Sequence, residues 1–322
     1  MNTVLIGAGY WGKNFIRLME NKNNSFELKY VVDSNVKLEK YETIKNLENL
    51  EDKLNDITAA FVCTPTLTHY EIVKFLLSKN INVFVEKPLT TSKAQAEELY
   101  NLAEEKDSQL FVDHTFLYND VIKYMIDLIN KNEIGDLLHI SFERSNLGPI
   151  RTDVSCLWDL ATHDVSILNS IIDEEPKIIS GSGFSRENNF NHDIVNISVN
   201  YSSVFASIFA SWLHPEKTRK IKVVGTEKML VFDDLNLNQP LTIYNKKIND
   251  VNEKHPLYGS IFNFSMGDIY SPYIESREPL MEALLDFEKR ILKQKGINKL
   301  NSKKLTLKTI SFLEEVNTSI EK

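Results

Sequence analysis

Residues 7 to 12 read Gly-Ala-Gly-Tyr-Trp-Gly, a glycine-rich turn with the spacing GxGxxG. The turn follows directly on a short apolar segment, TVLI, and opens an amphipathic segment from about Trp11 to Glu20. A buried strand, a tight turn and a helix in this order are typical of the first unit of a doubly wound α/β sheet. The stretch therefore predicts that the chain begins with a strand–turn–helix unit of a parallel sheet.

Each glycine of this turn has a physical task. Gly7 allows the tight turn, Gly9 lets the backbone approach a pyrophosphate, and Gly12 lets the helix pack on the strand. Asp33 lies 21 positions after Gly12, at the end of the next apolar segment. A carboxylate there suits the hydroxyls of an adenosine ribose and would repel a 2′-phosphate, which favours NAD over NADP. The alternative is a purely structural turn with Asp33 as a helix cap, because GxGxxG alone is a weak signal.

Short apolar segments alternate with amphipathic ones from this turn to about Tyr118. The predicted strands are TVLI, FELKYVVD, a short piece at Glu42–Ile44, ITAAFVC, NVFVE and QLFVDH, and the later predicted helices are HYEIVKFLLSKN and SKAQAEELYNLAEEKD, the second with Ser92 as its N-cap. Most of these strands are too apolar to have a wet face, which indicates a parallel sheet covered on both sides. The first domain is thus predicted to span residues 1–118.

The pattern changes after Tyr118. A helix, DVIKYMIDLINK, leads to a longer alternating strand, GDLLHISFERSN, and to an amphipathic helix from about Ser155 to Ile172. Closely spaced β-rich segments follow, and they predict one large, open, mainly antiparallel sheet. Two helices close the chain, near 278–293 and 302–320. A length of 322 residues favours two domains, and the second is predicted to be an α+β domain at residues 119–322.

The composition excludes several classes of protein. An apolar fraction of 42% and a charged fraction of 25% are ordinary for a soluble globular chain. The net charge of −8 argues against a nucleic-acid or anionic-membrane partner. Cys63 and Cys156 form no CxxC pair, so we predict neither a disulfide framework nor a metal site. No segment has the pattern of a signal peptide or a membrane span, and the expected location is the cytoplasm.

A lysine stands where the strand NVFV leaves the predicted parallel sheet. Residues 82–89 read NVFVEKPL, so Glu86 and Lys87 lie beyond the carboxyl end of that strand. Ligands of doubly wound sheets bind at this edge. Pro88 fixes its own φ angle and biases Lys87 toward an extended conformation, which restricts the position of the ammonium group. The alternative is an ordinary surface lysine after a strand.

A second candidate lies in the segment DVSCLWDLATHDVSIL of the second domain. Asp159 and His163 are four residues apart, which places both on one face of the predicted helix. A histidine with a carboxylate one turn before it can act as a general base near neutral pH. Asp164 points about 100° away and is a poorer partner. The alternative is a satisfied ion pair on the helix surface.

The combination of GAGYWG, VEKPL at 85–89 and WDLATHDVSIL at 158–168 resembles the glucose–fructose oxidoreductase/inositol dehydrogenase family, Gfo/Idh/MocA, over nearly the whole chain. The resemblance implies a Rossmann domain, a substrate domain on a large open sheet, and NAD-dependent hydride transfer. It implies that Lys87 touches the reacting hydroxyl, that His163 accepts or donates its proton, and that Asp159 orients His163 or contacts the sugar. The implied cofactor contacts are Gly7, Gly9, Tyr10, Trp11, Gly12, Asp33, Thr64, Pro65, Thr66, His69, Glu86 and Lys87.

Within the family, phrases such as GYWGKN and RSNLGPIRTDVSCLWDLATHD are most similar to members that act on nucleotide-linked sugars of the UDP-N-acetylglucosamine type in surface-polysaccharide pathways. This similarity predicts oxidation or reduction at C3 of the sugar. The substrate-binding candidates are Tyr118, Arg144, Asn146 and Arg151, the two arginines as forks for a diphosphate or carboxylate. The arginines could equally be solvated residues at strand ends.

The resemblance leaves several alternatives open. A free-sugar or inositol dehydrogenase would carry the same catalytic groups on the same fold. A non-catalytic NAD-binding protein could keep the fold without the reaction. The family also implies a homodimer or homotetramer built through the open sheet face, and segments such as VFASIFASWLH agree with a covered outer face.

Overall fold

The computed structural model describes residues 1–21, 23–187, 191–255 and 259–321, and the side chains of 248–255 and 259–264 lie outside that description. The described residues form two compact units. One contains Met1–Tyr118 and Glu278–Glu314, and the other contains Asn119–Arg277 and the chain from Glu315 onward. No helix among the described residues is long and apolar enough to cross a membrane.

The elements alternate in the first third of the chain and are dominated by strands later. The helices are α1 (Gly12–Met19), α2 (His69–Ser78), α3 (Lys93–Glu105), α4 (Asp120–Asn130), α5 (Thr162–Ile171), α6 (Pro279–Ile291) and α7 (Lys303–Ile320). The strands are β1 (Asn2–Ile6), β2 (Glu27–Val32), β3 (Glu42–Ile44), β4 (Ala59–Val62), β5 (Asn82–Val85), β6 (Leu110–Val112), β7 (Leu137–Leu147), β8 (Ile178–Phe184), β9 (Ile194–Asn200), β10 (Phe205–Ser211), β11 (Leu213–Gly225), β12 (Met229–Asp233), β13 (Leu241–His255) and β14 (Gly259–Tyr270).

The first unit is built on a six-stranded sheet with the order β3-β2-β1-β4-β5-β6, and every neighbouring pair is parallel. All four residues of β4 are buried, as are the last three of β5. Neither face of these strands is exposed to solvent, which agrees with helices covering both sides of the sheet. The strand order reverses between β1 and β4, where ligands of doubly wound sheets bind.

A ladder of phenylalanines crosses this sheet. Phe61 of β4, Phe84 of β5 and Phe111 of β6 are in register, and their ring centroids are 5.4 and 4.8 Å apart. Phe287 of α6 packs on all three rings with centroid distances of 5.5 to 5.8 Å. Aromatic side chains bury large areas, so these contacts stabilise the packing of α6 on the parallel sheet.

This packing explains where the chain departs from the predicted domain limits. The division after Tyr118 appears in the structure, but residues 278–314 group with the first unit although the sequence assigned them to the second. Buried Asp286 of α6 accepts a hydrogen bond from the Tyr118 hydroxyl at 2.7 Å. The apolar face of α6 predicts a helix, whereas the choice of sheet depends on contacts with residues about 170 positions away.

The second unit carries an eight-stranded sheet with the order β14-β13-β12-β11-β7-β10-β9-β8. Its pairs are antiparallel except β7 with β10, which are parallel. Burial alternates along β9 and β10, so one face is buried and the other is more open. Together with the parallel sheet, this large open sheet confirms the predicted fold class.

Four local features differ from the sequence prediction. Strand β13 is longer than the predicted LTIY, and β14 was not predicted. Ser92 stands at the N-cap position of α3, but its side chain makes no capping hydrogen bond. The helix predicted from Ser155 begins instead with a π-helical turn at Leu157–Ala161 before α5. Single π-helical turns are rare and often lie at functional sites.

Candidate active site

The glycine-rich turn joins β1 to α1, and each of its three glycines has different surroundings. Gly7 has φ +89°, and a Cβ on it would lie 2.6 Å from the Cys63 carbonyl oxygen. A Cβ on Gly12 would lie 2.1 Å from the Gly7 carbonyl oxygen. A Cβ on Gly9 would have no protein atom within 4 Å. The chain itself therefore demands glycine at 7 and 12, whereas Gly9 leaves open space in front of α1, as a bound pyrophosphate requires.

Asp33 is held beside this turn at the end of β2. One carboxylate oxygen accepts a hydrogen bond from Ala8 N at 2.8 Å, and the other accepts from Asn35 N and Val36 N, both at 2.8 Å. Partial burial favours the neutral acid, but the backbone N–H groups outweigh it and hold the pKa of Asp33 below its ordinary value. The carboxylate is thus ionised, and its remaining lone pairs can accept from ribose hydroxyls.

The aromatic residues of the turn are open to solvent. Tyr10 is 87% exposed and Trp11 is 39% exposed. Both lie immediately before the N-terminus of α1, next to the open space at Gly9. Their proposed contact with the cofactor agrees with this position.

The loop after β4 is tied to the loop after β5 by His69. Its Nε2 lies 2.9 Å from the Thr64 carbonyl oxygen and its Nδ1 lies 2.9 Å from the Pro88 carbonyl oxygen. The ring is buried. Thr64 and Pro65 lead into a short 3-10 turn whose first residue, Thr66, is also buried. His69 therefore acts on the backbone of both loops, and this gives it a positioning function at the edge of the sheet.

Lys87 follows directly on β5 and Glu86, and it is half-buried. The peptide bond between Lys87 and Pro88 is cis. Only β4 lies between β5 and β1, so Lys87 emerges about 10 Å along the sheet edge from the glycine-rich turn. Its positive charge acts on Glu86, Asp113 and His114, which lie at the same edge. The glycine turn, Asp33 and Lys87 thus share the carboxyl edge of one sheet, and this arrangement fits a bound dinucleotide.

His163 belongs to the second unit, at the beginning of α5. The preceding π-helical turn widens the helix between Asp159 and His163, so the simple α-helical spacing does not apply there. The Thr162 hydroxyl donates to the Trp158 carbonyl oxygen at 2.5 Å, which satisfies an acceptor in the irregular turn. His163 is half-buried. The π-helical turn and its hydrogen bond from Thr162 determine the backbone position from which His163 projects.

Asp159 is fixed by two donors. One oxygen accepts from Arg151 Nη1 and the other from Trp212 Nε1, both at 3.2 Å. Arg151 also donates twice to Asp153, at 2.9 and 2.6 Å. The sequence singled out neither Trp212 nor Asp153, because no local pattern links them to Asp159. Arg151 keeps about 29% of its side chain exposed, so it remains a candidate for an anionic substrate group.

Two predicted substrate residues have other functions in the structure. Arg144 is buried and makes three hydrogen bonds of 2.7 to 3.1 Å to buried Asp164 of α5. Tyr118 is 2% exposed, and its hydroxyl binds Asp286 and Asn301 within the first unit. Neither side chain is placed to meet a substrate directly, because each is enclosed by its partners. We therefore leave both out of the proposed site and keep Asn146 and Arg151.

Sequence reasoning also missed Asp113. It follows β6 in the segment QLFVDH, and it is fully buried beside Glu86. A carboxyl group after a parallel strand is the available signal, since such positions face the ligand edge. No group of three or more potential metal ligands is found among the described residues.

Comparison with known proteins places this geometry in a family. Residues 1–114 match the family model described as Oxidoreductase family, NAD-binding Rossmann fold, and residues 122–231 match the GFO/IDH/MocA C-terminal domain. The chain is 23% identical over 196 residues to UDP-N-acetylglucosamine 3-dehydrogenase of Acidithiobacillus ferrooxidans, covering 60% of each protein. It is 31% identical over 83 residues to dTDP-3,4-didehydro-2,6-dideoxy-alpha-D-glucose 3-reductase of Actinomadura kijaniata, covering 26% of this chain and 25% of the reductase.

Solved structures share the fold along the whole chain. The A. ferrooxidans dehydrogenase, GnnA, superposes with a TM-score of 0.81 at 19% identity, covering 100% of this chain and 97% of that one. GenD2 from gentamicin A biosynthesis, in complex with NAD, gives a TM-score of 0.80 at 18% identity, covering 100% and 94%. The matched parts of the two relatives are thus 60% or less of their length, but the two domain models together span most of this chain. The chain belongs to the Gfo/Idh/MocA oxidoreductase family and has its NAD-binding Rossmann fold.

Proposed function

We propose that this protein is an NAD-dependent oxidoreductase that transfers a hydride between nicotinamide and a secondary hydroxyl or keto group of a sugar. One observation carries the proposal: Lys87 emerges at the same sheet edge as the glycine-rich turn, with one strand between their strands. A dinucleotide whose pyrophosphate lies at Gly9 extends along this edge. Its nicotinamide end then lies toward β5, where an ammonium group can meet a reacting oxygen.

The chain's own groups supply a donor and a base. The bound cofactor supplies hydride acceptance or donation. Lys87 donates a hydrogen bond to the reacting oxygen and stabilises the negative charge that develops on it. His163 takes the hydroxyl proton during oxidation and returns it during reduction. Glu86 serves the nicotinamide end, and Asp33 binds the adenosine ribose.

Asp159 is proposed to hold the base and its surroundings in place. It bridges Arg151 and Trp212, so the segment that leads into His163 is bonded on two sides. Removal of the Asp159 carboxylate would take one carboxylate partner from Arg151 and an acceptor from Trp212 Nε1, and it would loosen the π-helical turn. Arg151 and Asn146 are proposed to contact the substrate.

The proposed substrate is a nucleotide-linked hexose of the UDP-N-acetylglucosamine type, oxidised at C3. Two relatives support both the nucleotide linkage and the carbon, since one is a UDP-N-acetylglucosamine 3-dehydrogenase and the other a dTDP-sugar 3-reductase. Surface-polysaccharide synthesis is the proposed pathway. We further propose a homodimer or homotetramer formed through the outer face of the large sheet, where Phe205 is 42% exposed.

The test is the absorbance of NADH when the pure protein and NAD⁺ meet UDP-N-acetylglucosamine, its uronate or the matching free sugars. NADH formation with a nucleotide sugar alone is the expected result. Signal with a free polyol alone would replace the nucleotide-sugar substrate by an inositol-type one. Binding of NAD without a redox change, with every sugar and in both directions, would mean a non-catalytic protein.

Variants test the assigned groups. His163→Ala and Lys87→Ala should each lose about 10² to 10⁴ in kcat. Lys93→Ala is the matched control for Lys87→Ala, since Lys93 is a partly exposed lysine of the first unit that pairs with Glu97 on α3. Near-normal turnover of a folded His163→Ala or Lys87→Ala protein would remove that residue from the reaction.

A further inference from the structure

Two buried carboxyl groups stand side by side at the carboxyl edge of the parallel sheet. Val85 of β5 pairs with Val112 of β6, and Asp113 N donates to the Val85 carbonyl oxygen at 2.9 Å. Glu86 and Asp113, which directly follow the two strands, are therefore neighbours. Glu86 is 9% exposed and Asp113 is 0% exposed. Neither group faces bulk water.

If both carboxyl groups were ionised, three of their four oxygens would lack a hydrogen-bond donor among the described residues. One Glu86 oxygen and both Asp113 oxygens receive no hydrogen bond of normal geometry from the described residues. Against the effect of burial, the side chains of Thr115 and Glu86 lie close enough to Asp113 to lower its pKa. A buried carboxylate without donors is strongly disfavoured. One proton placed between the two groups supplies an O–H donor and removes one of the two charges.

The titratable groups around the pair leave one cation to balance it. Burial and then the neighbouring carboxyls raise the pKa of the Cys63 thiol, which follows β4. Burial, and then the charge of Lys87, lowers the pKa of His114 to about 4, so its ring is neutral. Burial raises the pKa of both Glu86 and Asp113, and the opposing effect of Lys87 is smaller. Among these five described groups, Lys87 carries the positive charge.

We propose that Glu86 and Asp113 share one proton at neutral pH and that their single remaining negative charge is the fixed counter-charge of Lys87. Asp113 is then a positioning residue, acting on the reaction through Lys87. Two ionised carboxylates side by side in this buried place would repel each other, whereas the charge of Lys87 favours the ionised form of each group over the neutral form. One shared proton removes the repulsion and keeps one negative charge near Lys87. The proton count stands on the geometry alone, and its effect on catalysis rests on the proposed function.

The proton is detected without any assay of activity. A protonated carboxyl group has a C=O stretching band in the infrared that moves when H₂O is exchanged for D₂O. We expect such a band near pH 7 in the native protein, and we expect Glu86→Gln and Asp113→Asn each to remove it. Asp107→Asn is the matched control, since Asp107 is an exposed aspartate of the first unit paired with Lys293. Its band should equal that of the native protein.

A second measurement avoids dependence on the folding of variants. Carboxyl ¹³C labels on Asp and Glu in the native chain should show one pair that titrates in two steps, with the second step above neutral pH. Two fully ionised carboxyls at pH 7 in this titration, or no exchange-sensitive band in the native protein, would overturn the proposal whatever the enzyme does.

The counter-charge is tested by the separate values of kcat and KM. In the double variant Glu86→Gln/Asp113→Asn the pair is neutral, so it no longer places a fixed negative charge near Lys87. We expect kcat to fall by about tenfold or more with little change in the KM for the sugar, and to fall less in either single variant, which retains one carboxylate. An unchanged kcat in a folded double variant would overturn the counter-charge, while the loss of activity in Lys87→Ala would still stand for the proposed function.

Discussion

His114 offers a quantitative test of the buried edge of the first sheet. It follows Asp113, it is 2% exposed, and its Nε2 lies 3.1 Å from the Thr306 hydroxyl of α7. Its Nδ1 is buried without a hydrogen-bond partner among the described residues, so a second ring proton would have no acceptor. Burial and the charge of Lys87 lower its pKa from 6.5 to about 4.

The sign of the pH effect follows from proton binding. Between pH 4 and 6.5 the unfolded chain protonates this histidine and the folded chain does not, so the free energy of unfolding falls as the pH falls. The difference between pH 8 and pH 5 is about 2 kcal/mol, and it approaches about 3 kcal/mol at pH 4. Above about pH 7.5 the contribution is constant, because the ring is neutral in both states.

The assay is urea unfolding of the native protein and of His114→Asn at a series of pH values from 5 to 8. The native protein should lose about 2 kcal/mol more than the variant over this range. Thr306→Val removes the hydroxyl partner but keeps the histidine, so it should cost about 1 kcal/mol and retain most of the native pH slope. Equal slopes for the native protein and His114→Asn would refute the assignment of a buried neutral ring.

Two further predictions concern the glycine-rich turn and the packing of α6. Gly9→Val should leave the thermal midpoint unchanged and weaken NAD binding by roughly tenfold or more; unaltered NAD affinity in titration calorimetry would contradict this. Gly12→Ala should cost about 1–3 kcal/mol of stability, because its Cβ meets the Gly7 carbonyl. Phe287→Ala should cost about 3–5 kcal/mol in urea unfolding, and Leu292→Ala, at an exposed position 48% open to solvent, well under 1 kcal/mol; equal costs would mean that α6 does not fill the core of the first unit.

Local patterns predicted most of the elements. The apolar strands β1, β2, β4 and β5 and the helices α2 and α3 appear where their periodicity indicated. Periodicity is a property of neighbouring residues, so it needs no knowledge of distant contacts. The glycine-rich turn and Asp33 were predicted together for the same reason: their spacing is short and each residue has a separate physical task.

The contacts between side chains that are far apart in the sequence were harder to predict. Arg144 and Arg151 look alike in the sequence as cations near strand ends, yet one is enclosed by Asp164 and the other keeps part of its side chain open. Tyr118 ends the first domain in the sequence, but its hydroxyl is bound by Asp286, 168 residues later. A single sequence holds no record of such pairings, because they depend on which surfaces meet.

The sequence by itself determined the parallel-sheet start of the chain, the glycine-rich turn, the lysine at the end of β5 and the change to a strand-rich second half. Spacing and hydrophobic period are enough for these, since strands and helices bury alternate or every third or fourth residue. Only the tertiary structure decided that α6 packs on the phenylalanine ladder, that a π-helical turn precedes His163, and that Glu86 meets Asp113. Those outcomes depend on the free energy of packing and of burying charge, which is set by residues far apart in the chain and close together in the fold.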